Sequence, residues 1–125
     1  MVKKWEIDLQ SCPASKSNRR QWFGPGMSAK SEAAQTFTEF SILTIRATGE
    51  PSPFEKDDEI EMFCTVRYPS WRNDLDCELV CDVLQKAGVV PNDRQIRVKH
   101  YDTDDPPGKP YTSIRLESHR KLRRK

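Results

Sequence analysis

No apolar run in this chain of 125 residues approaches the length of a membrane span. The opening Met1-Val2-Lys3-Lys4-Trp5 has no apolar signal core behind it. A cytoplasmic protein is therefore expected. Cysteine is scarce: Cys12, Cys64, Cys77 and Cys81 are the only four, and in that compartment they are expected to be reduced. Cys77 and Cys81 stand one helical turn apart, close enough for a common ligand, yet no second closely spaced pair completes a zinc site. No internal repeat is present, and low complexity is confined to the basic C-terminal end. Apolar residues make up only 35% of the chain against 32% charged, so much of it must be surface. The length suits one domain with a single modest core, which could lean on a partner subunit.

The net charge of +2 hides an asymmetry. Arg115, Arg120, Lys121, Arg123, Arg124 and Lys125 face a single Glu117 across residues 115–125, whereas residues 55–62 and 102–105 are acidic. A basic tail suits a polyanionic partner, although such tails also serve only to solubilise. The boundary is drawn after residue 118, with 119–125 as the tail.

Trp5, Ile7 and Leu9 alternate with polar residues and predict a first strand. A long breaker-rich loop follows over 11–27, holding Pro13, Asn18, Arg19, Arg20, Trp22, Gly24, Pro25 and Gly26. Its basic and aromatic side chains suit phosphate contacts with base or sugar packing; equally, Trp22 could fold back on the core from a plain surface loop. Ser28 is the expected N-cap of a helix reaching Ala47, with Ala33, Phe37, Phe40 and Leu43 at helical spacing and the aromatics among them expected in the core. Ile60, Met62, Cys64, Val66 and Tyr68 alternate as a half-buried strand that Pro69 ends. A second helix after Asp76 is expected to bury Leu79, Val80, Val83, Leu84 and Ala87 and to stop at Gly88. Two more strands are expected over 95–101 and 111–116. The order β-α-β-α-β-β predicts an α/β (α+β) domain, one mixed sheet with two helices, most simply on one face.

Between the third and fourth of these elements lies Arg72-Asn73-Asp74-Leu75-Asp76, and Asp93 follows the second helix after Gly88, Pro91 and Asn92. Carboxylates spaced by two point the same way on extended backbone, but lie about 200° apart on a helix. Asp74 and Asp76 can therefore share one ligand only at a strand end or just before a helix. A hard cation such as Mg²⁺ takes one or two carboxylates plus waters and substrate phosphates, and Asp93 returning nearby would suit it. The plainer alternative is that Asn73 or Asp74 caps the helix and Asp93 occupies a turn.

Three blocks carry a family likeness: Asn73-Asp74-Leu75-Asp76; Cys81-Asp82-Val83-Leu84-Gln85-Lys86-Ala87-Gly88-Val89-Val90; and Asn92-Asp93-Arg94-Gln95-Ile96. In that order they resemble the RusA family of Holliday junction resolvases of bacteria and their prophages. Pro13-Ala14-Ser15-Lys16-Ser17-Asn18-Arg19 is similar to the family's opening, and Ser28-Ala29-Lys30 with the helix behind it also fits. The resemblance implies a homodimeric endonuclease that uses Mg²⁺, with Mn²⁺ substituting, to make paired nicks in four-way DNA junctions. It implies Asp74, Asp76 and Asp93 as catalytic, metal-holding carboxylates. The expected DNA contacts are Lys16, Asn18, Arg19 and Arg20 of the loop, Arg72 and Arg94 beside the aspartates, and Arg120 and Lys121 of the tail. Trp22, Trp71 and Tyr68 are apolar candidates for the dimer interface.

The chain also departs from the family pattern. Cys77 stands where the family has Asn, and the segment between Asp76 and Asp82 is shorter by two residues. Val80 stands where the family has an important lysine. Lys86 does not replace it, because ten residues of helix is about 15 Å. Arg72, Arg94 or a lysine from the N-terminal loop are the candidates for the missing cation. Two functions lead, a junction-cleaving enzyme and a branched-DNA binder that has lost cleavage; a small interaction domain without nucleic acid is a third that the basic tail and the family blocks disfavour. Three retained aspartates favour the first, since phosphate binding alone disfavours negative charge.

Overall fold

The computed structural model describes residues 2–13, 20–24, 27–30, 32–71 and 77–122. Four strands form a mixed sheet in the order β1-β6-β4-β5. They are β1 (Lys3–Leu9), β4 (Asp58–Arg67), β5 (Ile96–Thr103) and β6 (Tyr111–Lys121). A separate hairpin pairs β2 (Arg20–Gly24) with β3 (Met27–Lys30). The helices are α1 (Glu32–Ala47) and α2 (Cys77–Lys86). No helix among the described residues is long and apolar enough to cross a membrane.

The alternation in β4 builds the core. Ile60, Met62, Cys64, Val66 and then Tyr68 are all buried, as their period of two requires. Trp5 and Leu9 of β1 and Ile114 and Leu116 of β6 extend the same apolar face. Leu79, Val80, Val83 and Leu84 of α2 cover it. Strands β4 and β5 run parallel, a pairing that needs a long crossover, and α2 supplies it. Gly88 stops α2 with φ +83, a left-handed conformation that costs glycine least.

The first helix departs from expectation in two ways. Ser28 is not its N-cap: it pairs with Trp22 in the β2–β3 hairpin, and α1 begins at Glu32. The segment expected as a loop is thus partly hairpin. The buried stripe is Ala34, Phe37, Thr38, Ser41 and Ile45, whereas Ala33 is exposed, Phe40 is 41% exposed and Leu43 69%. Small Thr38 and Ser41 permit close approach, and Thr38 satisfies its own hydroxyl by donating to the Ala34 carbonyl at 2.8 Å.

Strand β6 runs to Lys121, so the first three residues of the expected tail, 119–121, are strand. The cause is a cross-strand charge match, with Asp58 opposite Lys121 and Glu59 opposite Arg120. Tyr68, an expected interface residue, is core at 3% exposure, while Trp71 is 72% exposed.

Candidate functional site

A cleft of about 790 Å³ opens between α2 and β5. Glu78, Cys81, Asp82 and Lys86 of α2 line it, with Asp93, Arg94, Arg97 and Lys99 from the segment that follows. Asp93 opens a 3-10 turn, Asp93–Gln95, whose construction explains the local sequence. The Asn92 side chain accepts from the Arg94 N–H at 3.0 Å, and Gln95 Oε1 accepts from the Asn92 N–H at 3.0 Å. Those reciprocal bonds form a capping box. Gln95 is buried, and its Nε2 donates to the carbonyls of Glu55 at 2.7 Å and Asp58 at 2.9 Å. The Asp93 N–H donates to Gln85 Oε1 of α2 at 2.8 Å. The turn is thus fixed to the sheet on one side and to α2 on the other. The Asp93 carboxylate itself has no hydrogen bond or ion pair to another described residue.

The start of α2 is anchored from β5. Tyr101 donates its hydroxyl to the Cys77 carbonyl at 2.9 Å and lies 3.5 Å from Cys81 Sγ. Burial pushes the Tyr101 phenol up from its ordinary range, and burial raises the Cys81 thiol despite its tyrosine contact. Burial likewise pushes Cys64 up to about 12. Thiols held protonated are poor nucleophiles. These cysteines are packing residues.

Of the expected carboxylates, Asp93 lies on the cleft wall. Asp74 and Asp76 lie outside the described residues, as do Lys16, Asn18, Arg19 and Arg72. Arg20 opens β2. Among the described residues no three His, Cys, Asp or Glu side chains form a group able to hold a metal. Asp93 is an oxygen donor of the kind a hard cation takes. Glu78 and Asp82 add carboxylates to the wall, although Asp82 is engaged by Lys86 at 3.0 Å. The described wall thus offers carboxylate oxygens from Asp93, Glu78 and Asp82 beside the buried thiol of Cys81.

Val80, at the family's lysine position, is fully buried in the core. Helix α2 starts at Cys77, which turns position 80 inward. Arg120 and Lys121 are engaged within the chain. Arg120 makes a two-pronged pair with Glu59 at 2.9 and 3.1 Å. Lys121 reaches Asp57, Asp58 and Glu55 at 2.9, 2.9 and 3.1 Å. A DNA phosphate would have to compete with those carboxylates. Arg97 and Lys99 were not legible as cleft residues, because plain alternation along β5 does not place Lys99 on this side.

No family model matches the sequence, and no curated protein matches it.

Proposed function

We propose that the chain is a metal-dependent endodeoxyribonuclease similar to the RusA resolvases, acting in the cytoplasm as a homodimer on four-way DNA junctions. The observation that carries this reading is the α2–β5 cleft, where an Asp93 carboxylate with no partner among the described residues shares one wall with Arg94, Arg97 and Lys99. A carboxylate beside cations is what a site for metal-bound phosphate requires. In sequence Asp76 immediately precedes Cys77, the first residue of the helix that forms the opposite wall. Asp74, Asp76 and Asp93 would hold Mg²⁺ or Mn²⁺. When bound, the metal supplies activation of water and stabilisation of the leaving oxygen. The chain's own part is to fix Asp93 through the capped turn and to place basic side chains where backbone phosphates enter.

A second reading, binding of branched DNA without cleavage, is favoured by the burial of Val80, since α2 then presents no lysine from that turn. A synthetic four-way junction incubated with and without Mg²⁺ or Mn²⁺ separates the two, with binding and nicking scored apart. Paired nicks only with metal are expected. Asp93→Asn should then abolish nicking and leave binding equal or tighter, because one negative charge leaves the scissile phosphate's surroundings. Wild-type protein that binds junctions tightly but never nicks them would establish the binder instead.

A further inference from the structure

The register of β5 contains an irregularity with a chemical consequence. Ile60 of β4 pairs with Ile96, but the next residue, Glu61, pairs with Val98, so Arg97 is an extra residue in a parallel ladder. An extra residue reverses the faces of everything after it. Had the alternation continued from buried Ile96, Val98 and His100 would have pointed toward α2 and Lys99 away from it. The contacts show the opposite. His100 stacks on Phe63 on the open face, with ring centroids 4.6 Å apart, while Tyr101 reaches α2. Lys99, opposite buried Met62, is on the helix side with Tyr101 and lines the cleft.

The charges there are left over. Within the cleft Lys86 pairs with Asp82, and outside it Lys3, Arg67, Arg115, Arg120 and Lys121 pair with carboxylates, whereas Lys4, Arg46, Lys56 and Lys109 lie apart from one another with no ion pair to a described residue. Arg94, Arg97 and Lys99 make no ion pair with any described residue, and all three line one cleft. Bulges that re-aim a side chain are frequent beside functional sites.

We infer that the bulge at Arg97 builds an anion seat in the α2–β5 cleft, in which Lys99, with Arg97 and Arg94, takes a phosphodiester of the nucleic-acid backbone. The seat rests on this geometry, whereas the identity of its occupant rests on the nuclease reading. Lysine and arginine without carboxylate partners are the side chains that exchange counterions for phosphate.

Two probes test it. Inorganic pyrophosphate titrated into ¹⁵N-labelled protein should shift the amide signals of Arg94, Arg97 and Lys99, and should leave them nearly unmoved in Lys99→Gln. Junction binding with Ca²⁺ replacing Mg²⁺ should weaken roughly tenfold in Lys99→Gln, with the salt slope shallower by about one. Lys99→Arg should restore most of the affinity. Lys4→Gln removes an equal charge from the open face and should change neither readout. Equal losses in Lys4→Gln and Lys99→Gln would mean that net charge alone acts, and would overturn the seat, as would pyrophosphate shifts that spare β5. If Lys99→Gln fails to fold, the wild-type titration and Lys99→Arg decide. Pyrophosphate binding at β5 in a protein indifferent to junctions would keep the seat and remove the nuclease. Nicking with unaltered binding in Lys99→Gln would do the reverse.

Discussion

Asp58 shows how a single acidic residue can hold strand ends together. Its side chain is buried, and burial alone would raise its carboxyl. The Glu55 N–H at 2.8 Å, Lys3 at 2.7 Å and Lys121 at 2.9 Å more than reverse that, lowering the pKa from 3.8 to about 2. A folded-state pKa below the unfolded one means stability present above the unfolded value and lost as pH falls through the folded one. Asp58→Asn should therefore cost about 2 kcal/mol near neutrality. Its deficit against wild type should close between about pH 4 and about pH 2. Urea midpoints taken across that window check the sign; a deficit that persists at the lowest pH would mean that shape, not charge, is what Asp58 contributes.

At the scale of elements, the capped 3-10 turn determines where Asp93 sits. Gln95 spans three partners, two carbonyls of the segment before β4 and the Asn92 N–H. Gln95→Ala leaves those groups without their side-chain partner, a loss of roughly 3 kcal/mol in a buried setting. Under the nuclease reading it should also cut nicking by more than unfolding explains, measured at a temperature where circular dichroism shows the variant fully folded. Nicking that simply follows the folded fraction would leave Gln95 a stability residue. The bulge in β5 acts at the same scale, since one extra residue decides that Lys99 joins Tyr101 and not Phe63.

For the whole molecule, a two-fold junction calls for two equivalent sites, which a symmetric dimer offers. Strands β1 and β5 are the sheet's edges, and exposed Trp71 is available to bury, whereas Tyr68 is not. Light scattering should give about twice the 14.5 kDa chain mass at micromolar concentration. A monomer unchanged by added junction would refute the dimer. Truncation after Leu122 is the informative way to remove the tail, because a cut after Ser118 also removes the strand pairing of Arg120 and Lys121.

The order of the six principal elements was legible in the sequence, because β4 repeats every two residues and α2 has an apolar stripe closed by Gly88. Those patterns are local, and local sterics and burial enforce them. The conformation of the Asn92–Gln95 segment was read only as a turn; its capping box needed Gln95 to find carbonyls from residues 55 and 58. The hairpin was hidden by its own breakers, and the face of α1 by the assumption that the largest apolar side chains go inward. Lys99 was hidden for a different reason. A strand's face depends on its register against a neighbour, and register depends on pairing between residues distant in sequence. Alternation along β5 could say that neighbouring side chains diverge, but only the ladder with β4 could say which of them enters the cleft.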